Sequence, residues 1–300
     1  MQMNDQQVVE KLTSVRQHQM DGKRAPHKPL LVLLALGQLS STGSSALSWS
    51  AVEDRLGSML ADFGRPTRDG KTLPSYPFTR LRADGVWQLS RDVPNDNVGP
   101  LNESPIEGSF SPEVEACLRE SPATVLEVAR LIVEEQFPLT IAPDVLTAAG
   151  LDPDAVFSGA HTAPNFLERR RRDATWRQRI LEAWDRSCAF CGYDGSLAGS
   201  PVGIEAAHVR WFNFGGPDDM DNGLALCSLH HKLLDRGVLG LQDPETVQVS
   251  SMFAAVSQPG RGVYDLHGRR LRPRPGTRLP SVDYVTWHGE EVFKGAALPA

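Results

Sequence analysis

Two short pairs of metal-binding residues lie in the second half of the chain, at Cys188-x-x-Cys191 and Cys227-x-x-His230. Cysteine thiolate and imidazole are the usual ligands of structural zinc, and two such pairs close one tetrahedral site. One pair alone would be weak evidence, but two pairs with histidine and asparagine between them are improbable by chance. We therefore predict a Cys3His zinc site that holds together a fold too small to bury a sufficient core.

A second set of residues, between and beside these ligands, suits hydrolysis of a phosphodiester. That reaction needs a general base near neutral pH, for which His208 is the candidate, and a divalent cation to stabilise the developing charge. Asn222 could hold the ring of His208 in the required orientation. His231 and Asp235 are four residues apart on a predicted helix, so both could bind one catalytic ion. His230 points roughly 100° away and stays free for zinc.

The elements around these residues follow a simple order. Residues 202–209 pattern as a strand, residues 214–223 form a long turn, and the apolar run 224–234 ends near Gly237, a plausible helix stop. We expect a ββα unit. Either histidine alone would more often be a structural residue, but the combined pattern favours catalysis.

The first half contains a buried helix with a polar entrance. His27-Lys28-Pro29 runs directly into the apolar segment 30–36, which is too apolar for a surface helix. Proline suits the first turn of a helix, and the free amides there attract phosphate. His27 and Lys28 are thus candidate phosphate contacts, although a simple loop with solvated side chains is about equally consistent with the pattern.

Residues 75–89 alternate apolar residues with Arg80 and Arg82, and Asp84-Gly85 is a turn signal. The pattern predicts a β-hairpin that is entered through Tyr76-Pro77. An apolar Tyr-Pro edge beside two arginines could line a pocket for a partly apolar group on an anionic backbone. The alternative is a tyrosine that packs on proline in the core, which the pattern alone favours.

The remaining pattern predicts an α+β protein of two domains, residues 1–160 and 161–300. Helices are predicted over 6–20, 49–63, from 112 and over 121–137, with loops at 91–110 and 138–163. A further helix over 166–184 carries the arginine run 169–172 with Arg177 and Arg179. We expect these arginines to contact DNA phosphates, with an inert solvated face as the alternative.

Composition places further bounds on the protein. Three hundred residues with 40% hydrophobic content suit two domains with a core each. A net charge of −6 argues against a simple basic DNA-binding protein, but residues 161–300 carry 17 basic and 16 acidic residues, so DNA is not excluded. The leftover Cys117 is expected to be buried. The few cysteines and the polar N-terminus favour a soluble, cytoplasmic protein.

The motifs Glu205-Ala-Ala-His208, Asn222 to Cys227 and His230-His231 resemble the HNH (ββα-metal) endonucleases of the McrA type. The resemblance implies that His208 is the general base, Asn222 its positioning partner and His231 a ligand of a catalytic Mg²⁺ or Mn²⁺ ion. Asp235 and Glu205 are further candidates for this site. Many HNH enzymes carry a metal ligand immediately before the base, where this chain has Ala207.

The first half resembles the sulfur-binding domain of McrA-type restriction enzymes, which cut phosphorothioate-modified DNA. The matching residues are Pro26-His27-Lys28-Pro29 with the leucine run, and Tyr76-Pro77-Phe78 with Arg80 and Arg82. The resemblance implies a mainly helical domain with a small β-hairpin. Tyr76 and Pro77 would line an apolar pocket for sulfur, and His27, Lys28 and the arginines would contact phosphate or base edges.

Together the two resemblances imply a modification-dependent type IV restriction endonuclease that acts on double-stranded modified DNA. Double-strand cleavage by one site per chain suggests a homodimer. Two alternatives remain at this point: an HNH nuclease that reads another modification, such as methylcytosine, and a zinc-stabilised DNA-binding protein without catalysis.

Overall fold

The computed structural model describes residues 3–16, 23–66, 73–158 and 175–299. The chain divides into two compact units, Met1–His161 and Thr162–Ala300. The predicted domain boundary after residue 160 and the arginine run 169–172 lie outside the described residues.

Unit 1 is mainly helical, with three short strands. Its elements are α1 (Asp5–Thr13), α2 (His27–Thr42), β1 (Leu47–Ser48), α3 (Trp49–Phe63), α4 (Ser75–Arg80), β2 (Trp87–Leu89), α5 (Gly99–Glu103), β3 (Glu107–Phe110), α6 (Pro112–Glu120), α7 (Pro122–Gln136), α8 (Ala142–Ala149) and α9 (Pro153–Phe157).

Helix α2 is the centre of unit 1, as its apolar sequence predicts. Residues 28–37 are all buried, and α3, α4, α7 and α8 pack around them. Gly37 allows the closest of these contacts, because a Cβ atom there would lie 1.9 Å from the carbonyl oxygen of Ala149. Pro29 occupies the first turn of α2, where no intrahelical N–H is required.

The predicted hairpin over residues 75–89 is wrong. Residues 75–80 form helix α4, Leu81–Asp84 continue it as a 3₁₀ turn, and only Trp87–Leu89 is a strand. Phe78 and Leu81 are buried at helical spacing, and Pro77 lies in the first turn, where a helix accepts proline and a strand interior does not. Gly85, at φ 70°, ends the 3₁₀ turn.

The small sheet of unit 1 has the order β1-β3-β2, all antiparallel. Its central strand, β3, lies in the stretch that was predicted to be loop, and so does α5. Gly108 in β3 lies beneath Trp87, whose Cζ2 atom would be 2.4 Å from a Cβ at that position. The stretch 138–163, also predicted as loop, contains α8 and α9.

Unit 2 begins, in its described part, with helix α10 over residues 175–183. There follow β4 (Ser196–Leu197), β5 (Ser200–Pro201), β6 (Ile204–His208), β7 (Gly223–Cys227), α11 (Ser228–Asp235), β8 (Leu239–Asp243), β9 (Thr246–Val249), α12 (Gln258–Arg261) and α13 (Val282–Glu291). Strands β6 and β7 pair antiparallel and lead into α11, which is the predicted ββα unit.

Helix α10 packs tightly on the start of β7. A Cβ at Gly223 would lie 2.3 Å from Ile180 and 2.9 Å from Trp176, so glycine is needed for this approach. Trp176, Ile180 and Trp184 belong to the same buried cluster as Leu224 and Leu226 of β7. No helix in the described part of the chain is long and apolar enough to cross a membrane.

Candidate functional site

The four predicted zinc ligands come together in unit 2. The sulfur atoms of Cys188, Cys191 and Cys227 and one ring nitrogen of His230 all lie within 4.8 Å of one another. Cys188 Sγ is 3.4 Å from His230 Nδ1. Among the described residues this is the one group of three or more such ligand atoms that lie so close together.

Local backbone geometry explains how each ligand is placed. Cys188 and Cys191 lie on a tight turn, in which Gly192 N–H donates to the Cys188 carbonyl at 2.8 Å and Gly192 has φ 78°. Cys227 is both the last residue of β7 and the N-cap of α11, which places His230 in the first turn of that helix. The turn is joined to β7 by Ala189 N–H, which donates to the carbonyl of Ala225.

The chemistry of this donor set fits zinc. Hydrogen bonds from the Cys191 and Cys227 thiols hold the pKa of Cys188 well below its usual range, so a thiolate forms readily here. Three sulfurs this close would repel one another as thiolates without a divalent cation between them. The Cys3His group could therefore hold a zinc ion.

His208 is at the end of β6 and is held on two sides. Its ring stacks on Trp176, with centroids 3.9 Å apart and an interplanar angle of 10°. Its Nε2 atom is 2.9 Å from a carboxylate oxygen of Asp218. If Nε2 carries the proton and donates to Asp218, the lone pair lies on Nδ1, for which the described residues provide no hydrogen-bond partner. This ring can accept a proton at Nδ1.

Asn222 lies opposite the end of β6, where its backbone carbonyl accepts from Val209 N–H at 2.9 Å, and its side chain makes no hydrogen bond to the ring of His208. Its side chain is fully buried and makes three hydrogen bonds: its Oδ1 accepts from Arg210 N–H at 2.8 Å, and its Nδ2 donates to the Arg210 and Pro217 carbonyls at 3.0 Å each. These bonds close the loop that carries Asp218. The predicted positioning of His208 by Asn222 would therefore run through this loop.

His231 lies between two carboxylates. Its Nδ1 is 2.8 Å from Glu205 Oε2, and its Nε2 is 3.4 Å from Asp235 Oδ2. Glu205 also accepts a hydrogen bond from Ser228 at 2.5 Å, and the buried Asp235 accepts one from the indole N–H of Trp211 at 3.0 Å. The hydrogen bond with His231 lowers the pKa of Glu205, so this carboxylate is charged at neutral pH.

This arrangement suits a divalent ion at His231 and Asp235. A metal-binding histidine commonly donates its second N–H to a carboxylate, which fixes the ring. Glu205 is placed to accept that bond from Nδ1, leaving Nε2 and Asp235 as an imidazole and an oxygen donor. Ala207, at the usual ligand position, is fully buried and has no donor atom.

Most of the predicted DNA-contact residues of unit 1 line one open cavity of about 640 Å³. Four of the six predicted residues line it, namely Lys28, Tyr76, Arg80 and Arg82, together with Arg16, Thr79, Ala83 and Asn95. Pro77 is buried in α4 and is not among the lining residues. His27 contacts Tyr76 edge-on, with ring centroids 5.9 Å apart.

The charges at this cavity are partly paired within the protein. The Lys28 ammonium bonds to Asp84, which also accepts a hydrogen bond from the backbone N–H of Arg16. Arg80 lies over the Tyr76 ring at 5.0 Å and makes a two-pronged ion pair with Asp96. Burial and the nearby Arg24 lower the pKa of His27, so this ring is neutral at neutral pH.

Arg82 has a different environment from Arg80. Its guanidinium donates to the carbonyls of Thr79 and Val93 at 2.8 and 2.7 Å, and it pairs with Asp92 at 2.5 Å. These bonds hold the 92–95 loop against the 3₁₀ turn. Arg82 lines the cavity while it also fixes one of the cavity walls.

Four of the cavity residues, Arg16, Thr79, Ala83 and Asn95, were not predicted from the sequence. Tyr76, Thr79, Arg80 and Ala83 are related by steps of three, four and seven positions, which is one face of a helix, so the hairpin prediction obscured their grouping. Trp176 and Asp218 were also missed, because nothing in local spacing links them to His208.

Two family models match the chain. The model of the ScoMcrA-like DNA sulfur-binding domain matches residues 5–154, which is half of the sequence. The chain belongs to this family. The sulfur-binding domain is followed by an HNH endonuclease domain, whose model matches residues 188–242. That range contains all four zinc-type ligands as well as His208, Asn222, His231 and Asp235. Both resemblances inferred from the sequence are therefore confirmed.

The solved structures that match this chain have low sequence identity to it. The sulfur-binding and SRA domains of ScoMcrA with phosphorothioated DNA are 21% identical (TM-score 0.41), and the match covers 50% of this chain and 48% of that chain. The type IV phosphorothioation-dependent restriction endonuclease ScoMcrA is 22% identical (TM-score 0.40), and the match covers 50% of this chain and 33% of that chain. The modification-dependent restriction endonuclease TagI is 23% identical (TM-score 0.31), and the match covers 38% of this chain and 36% of that chain. This chain thus spans half or less of each of these relatives. None of the curated proteins matches it.

Proposed function

We propose that this chain is a modification-dependent restriction endonuclease. Its sulfur-binding domain recognises phosphorothioate DNA, and its HNH domain hydrolyses phosphodiester bonds nearby. The observation that carries the proposal is the presence in one chain of a sulfur-binding domain and an HNH domain whose base, His208, is held between Trp176 and Asp218. Such an enzyme would meet incoming DNA in the cytoplasm.

Recognition would use the cavity beside Tyr76. Sulfur is larger and more weakly hydrated than oxygen, so an apolar wall formed by Tyr76 and Ala83 favours it over an ordinary phosphate oxygen. Arg80 and Lys28 would supply the positive charge that the DNA backbone requires. Both are paired with carboxylates in the free protein, Arg80 with Asp96 and Lys28 with Asp84, so DNA would compete with these carboxylates for their charge.

Hydrolysis would begin at His208. Nδ1 takes the proton from a water molecule, and Asp218 stabilises the imidazolium that forms. His231 and Asp235 would hold Mg²⁺ or Mn²⁺, and when bound such an ion stabilises the charge on the phosphate and the leaving oxygen. Asn222 keeps the loop closed, and Glu205 fixes the ring of His231. The Cys3His zinc is structural and takes no part in the reaction.

Two such sites would cut the two strands of a duplex in a single binding event. We therefore assign the active form as a homodimer, in which each protomer supplies one HNH site.

Phosphorothioate dependence is the direct test of this function. Plasmid that carries phosphorothioate linkages should be cut in the presence of Mn²⁺ or Mg²⁺, while unmodified plasmid and plasmid with methylcytosine should stay intact on the same gel. Equal cutting of all three would refute sulfur recognition, and cutting of methylated plasmid alone would identify a methylcytosine reader. If the protein binds DNA but does not cut it with any divalent ion tested, it is a DNA-binding protein without catalysis.

A matched pair of variants assigns recognition to the cavity. Tyr76→Ala should weaken binding of a phosphorothioate duplex, whereas Leu73→Ala should not, because Leu73 is 60% exposed and does not line the cavity. Equal weakening in both variants would show that the segment matters for folding instead of sulfur contact.

Asp218 provides a separate test of how the base is held. Asp218→Asn is expected to lower the cleavage rate about 10-fold to 100-fold, since removing the partner that orients a catalytic ring typically has an effect of this size. The Kd for DNA should not change. Asp218→Glu should restore part of the rate. Single-turnover rates and binding isotherms on one duplex give both numbers.

The neighbouring Asp219 serves as the control for this variant. Asp219→Asn removes the same charge from an exposed side chain whose backbone carbonyl, and not its carboxylate, accepts from Trp176. If Asp219→Asn slows cleavage as much as Asp218→Asn does, the effect comes from the charge of the loop and not from the bond to His208.

A further inference from the structure

A dense group of arginines lies near the end of unit 2, outside the HNH motif. Residues 269–278 contain five arginines and no acidic residue, in a chain with a net charge of −6. All five side chains are exposed. We refer to them as the arginine strip: Arg269, Arg270, Arg272, Arg274 and Arg278.

The backbone that carries the strip is fixed to the rest of unit 2. Leu271 is buried, and its N–H donates to the Glu245 carbonyl at 2.7 Å. Thr277 Oγ1 donates to the carbonyl of Ala183 at 2.6 Å. Pro273 and Pro275 restrict the backbone between these points. A ligand that binds the strip therefore does not have to order a loop first.

Three residues after the end of the strip, the chain is bonded to the segment that carries Asn222. Ser281 N–H donates to the carbonyl of Asp221 at 2.8 Å, directly beside Asn222. Asn222 in turn closes the loop that presents Asp218 to His208. A strand of DNA whose phosphate lies at His208 would thus have the strip close along its path.

The arginines are free to exchange partners. Arg270 pairs with Glu245 at 2.7 Å and Arg274 with Asp185 at 3.8 Å, and all four side chains are at least 44% exposed. Such surface pairs contribute little to stability. Among the described residues, Arg269, Arg272 and Arg278 have no acidic partner.

We infer that the arginine strip binds the phosphate backbone of duplex DNA beside the bond that is cut. The inference rests on the proposed function, because duplex DNA is chosen over other polyanions on account of the HNH site next to the strip. Guanidinium groups bind phosphate with two parallel hydrogen bonds, and such phosphate contacts carry no information on the base sequence. The strip would hold the DNA at the nuclease site whatever the sequence around the modification.

Salt-dependent binding of unmodified DNA tests this inference without involving sulfur. The full chain in a His208→Ala background, which slows cleavage, would be titrated with a short unmodified duplex between about 50 and 200 mM salt. Replacing Arg272, Arg274 and Arg278 together with glutamine should weaken binding. It should also reduce the slope of log K against log salt by about 0.9 for each phosphate that the variant no longer neutralises.

A charge-retaining variant provides the matched control. Lysine at the same three positions keeps the positive charge and should keep a slope close to that of the parent. If the glutamine variant and the parent protein bind the duplex with the same affinity and the same salt slope, the strip is only a solvated surface. Equal weakening with lysine and glutamine would overturn the assignment to phosphate charge, and tighter binding of duplex RNA than of DNA would overturn the assignment to DNA.

Failure of the proposed function would give a different result. The ratio of affinities for phosphorothioate and unmodified duplexes belongs to the sulfur-binding domain, so the glutamine variant should keep the ratio of the parent. A ratio of one in both proteins would refute sulfur recognition and leave the result for the strip unaffected.

Discussion

Replacement of His208 by alanine is expected to lower the rate of DNA cleavage by about 10²-fold to 10⁴-fold, the usual contribution of a general base. The effect should appear in the cleavage step and not in binding, because in the proposed mechanism Nδ1 takes a proton from the attacking water, and the side chain is only 20% exposed. Single-turnover cleavage of a phosphorothioate duplex and its Kd, measured on the same preparation, separate the two effects.

Added imidazole makes this result specific to proton transfer. The alanine variant leaves a gap between Trp176 and Asp218, and a free imidazole that enters it should restore part of the activity. A decrease in affinity as large as the decrease in rate would show that His208 contacts DNA instead of activating water. A variant with full activity would remove His208 from the mechanism.

Cys188→Ser is expected to abolish zinc binding and to unfold the HNH domain, while the sulfur-binding domain still binds phosphorothioate DNA. Structural zinc contributes about 10–16 kcal/mol in zinc-finger peptides. That is as large as the whole stability of an ordinary domain, about 5–15 kcal/mol. The zinc ligands join the turn that carries Cys188 and Cys191, which precedes the ββα unit, to the junction of β7 and α11. Metal analysis, protease resistance and DNA binding of the full chain report the three outcomes.

Cys117 is the natural control for that experiment. It is buried in unit 1 beside Asp5, and burial raises its pKa to about 11, so it stays a thiol at neutral pH. Cys117→Ser should keep bound zinc and activity. If Cys188→Ser retained stoichiometric zinc and a protease-resistant HNH domain, the Cys3His group would not be the zinc site.

Metal-ligand spacing and apolar runs were readable in the sequence because both are local properties. The pairs Cys188-x-x-Cys191 and Cys227-x-x-His230 each fit one turn of backbone, and the structure confirms that they converge. Helix α2 was predicted because its apolar run can be stable only when it is surrounded. The order of β6, β7 and α11 was also predicted, because it depends on apolar patterns within short stretches of the sequence.

Segments whose structure depends on distant partners were predicted less well. Strand β3 is a strand because β1 and β2 supply hydrogen bonds from both sides, and those residues lie 18 or more positions away in sequence. The sequence pattern predicts a strand in place of helix α4, because Arg80 and Arg82 alternate with apolar neighbours. Over so few residues this alternation fits both the period of a strand and that of a helix. The burial of Phe78 and Leu81 against α2 and the sheet decides for the helix.

The sequence by itself determined which residues could do chemistry. These are the Cys3His metal group, His208 as a base for the attacking water with His231 as a ligand of a divalent ion, and the arginines Arg80 and Arg82 near Tyr76. Only the tertiary structure decided which residues hold them. Trp176 and Asp218 reach His208 from positions 32 residues before and 10 after it, and the side chain of Asn222 is hydrogen-bonded to the loop and not to the ring. Such contacts form only when separate elements pack, so no local pattern encodes them.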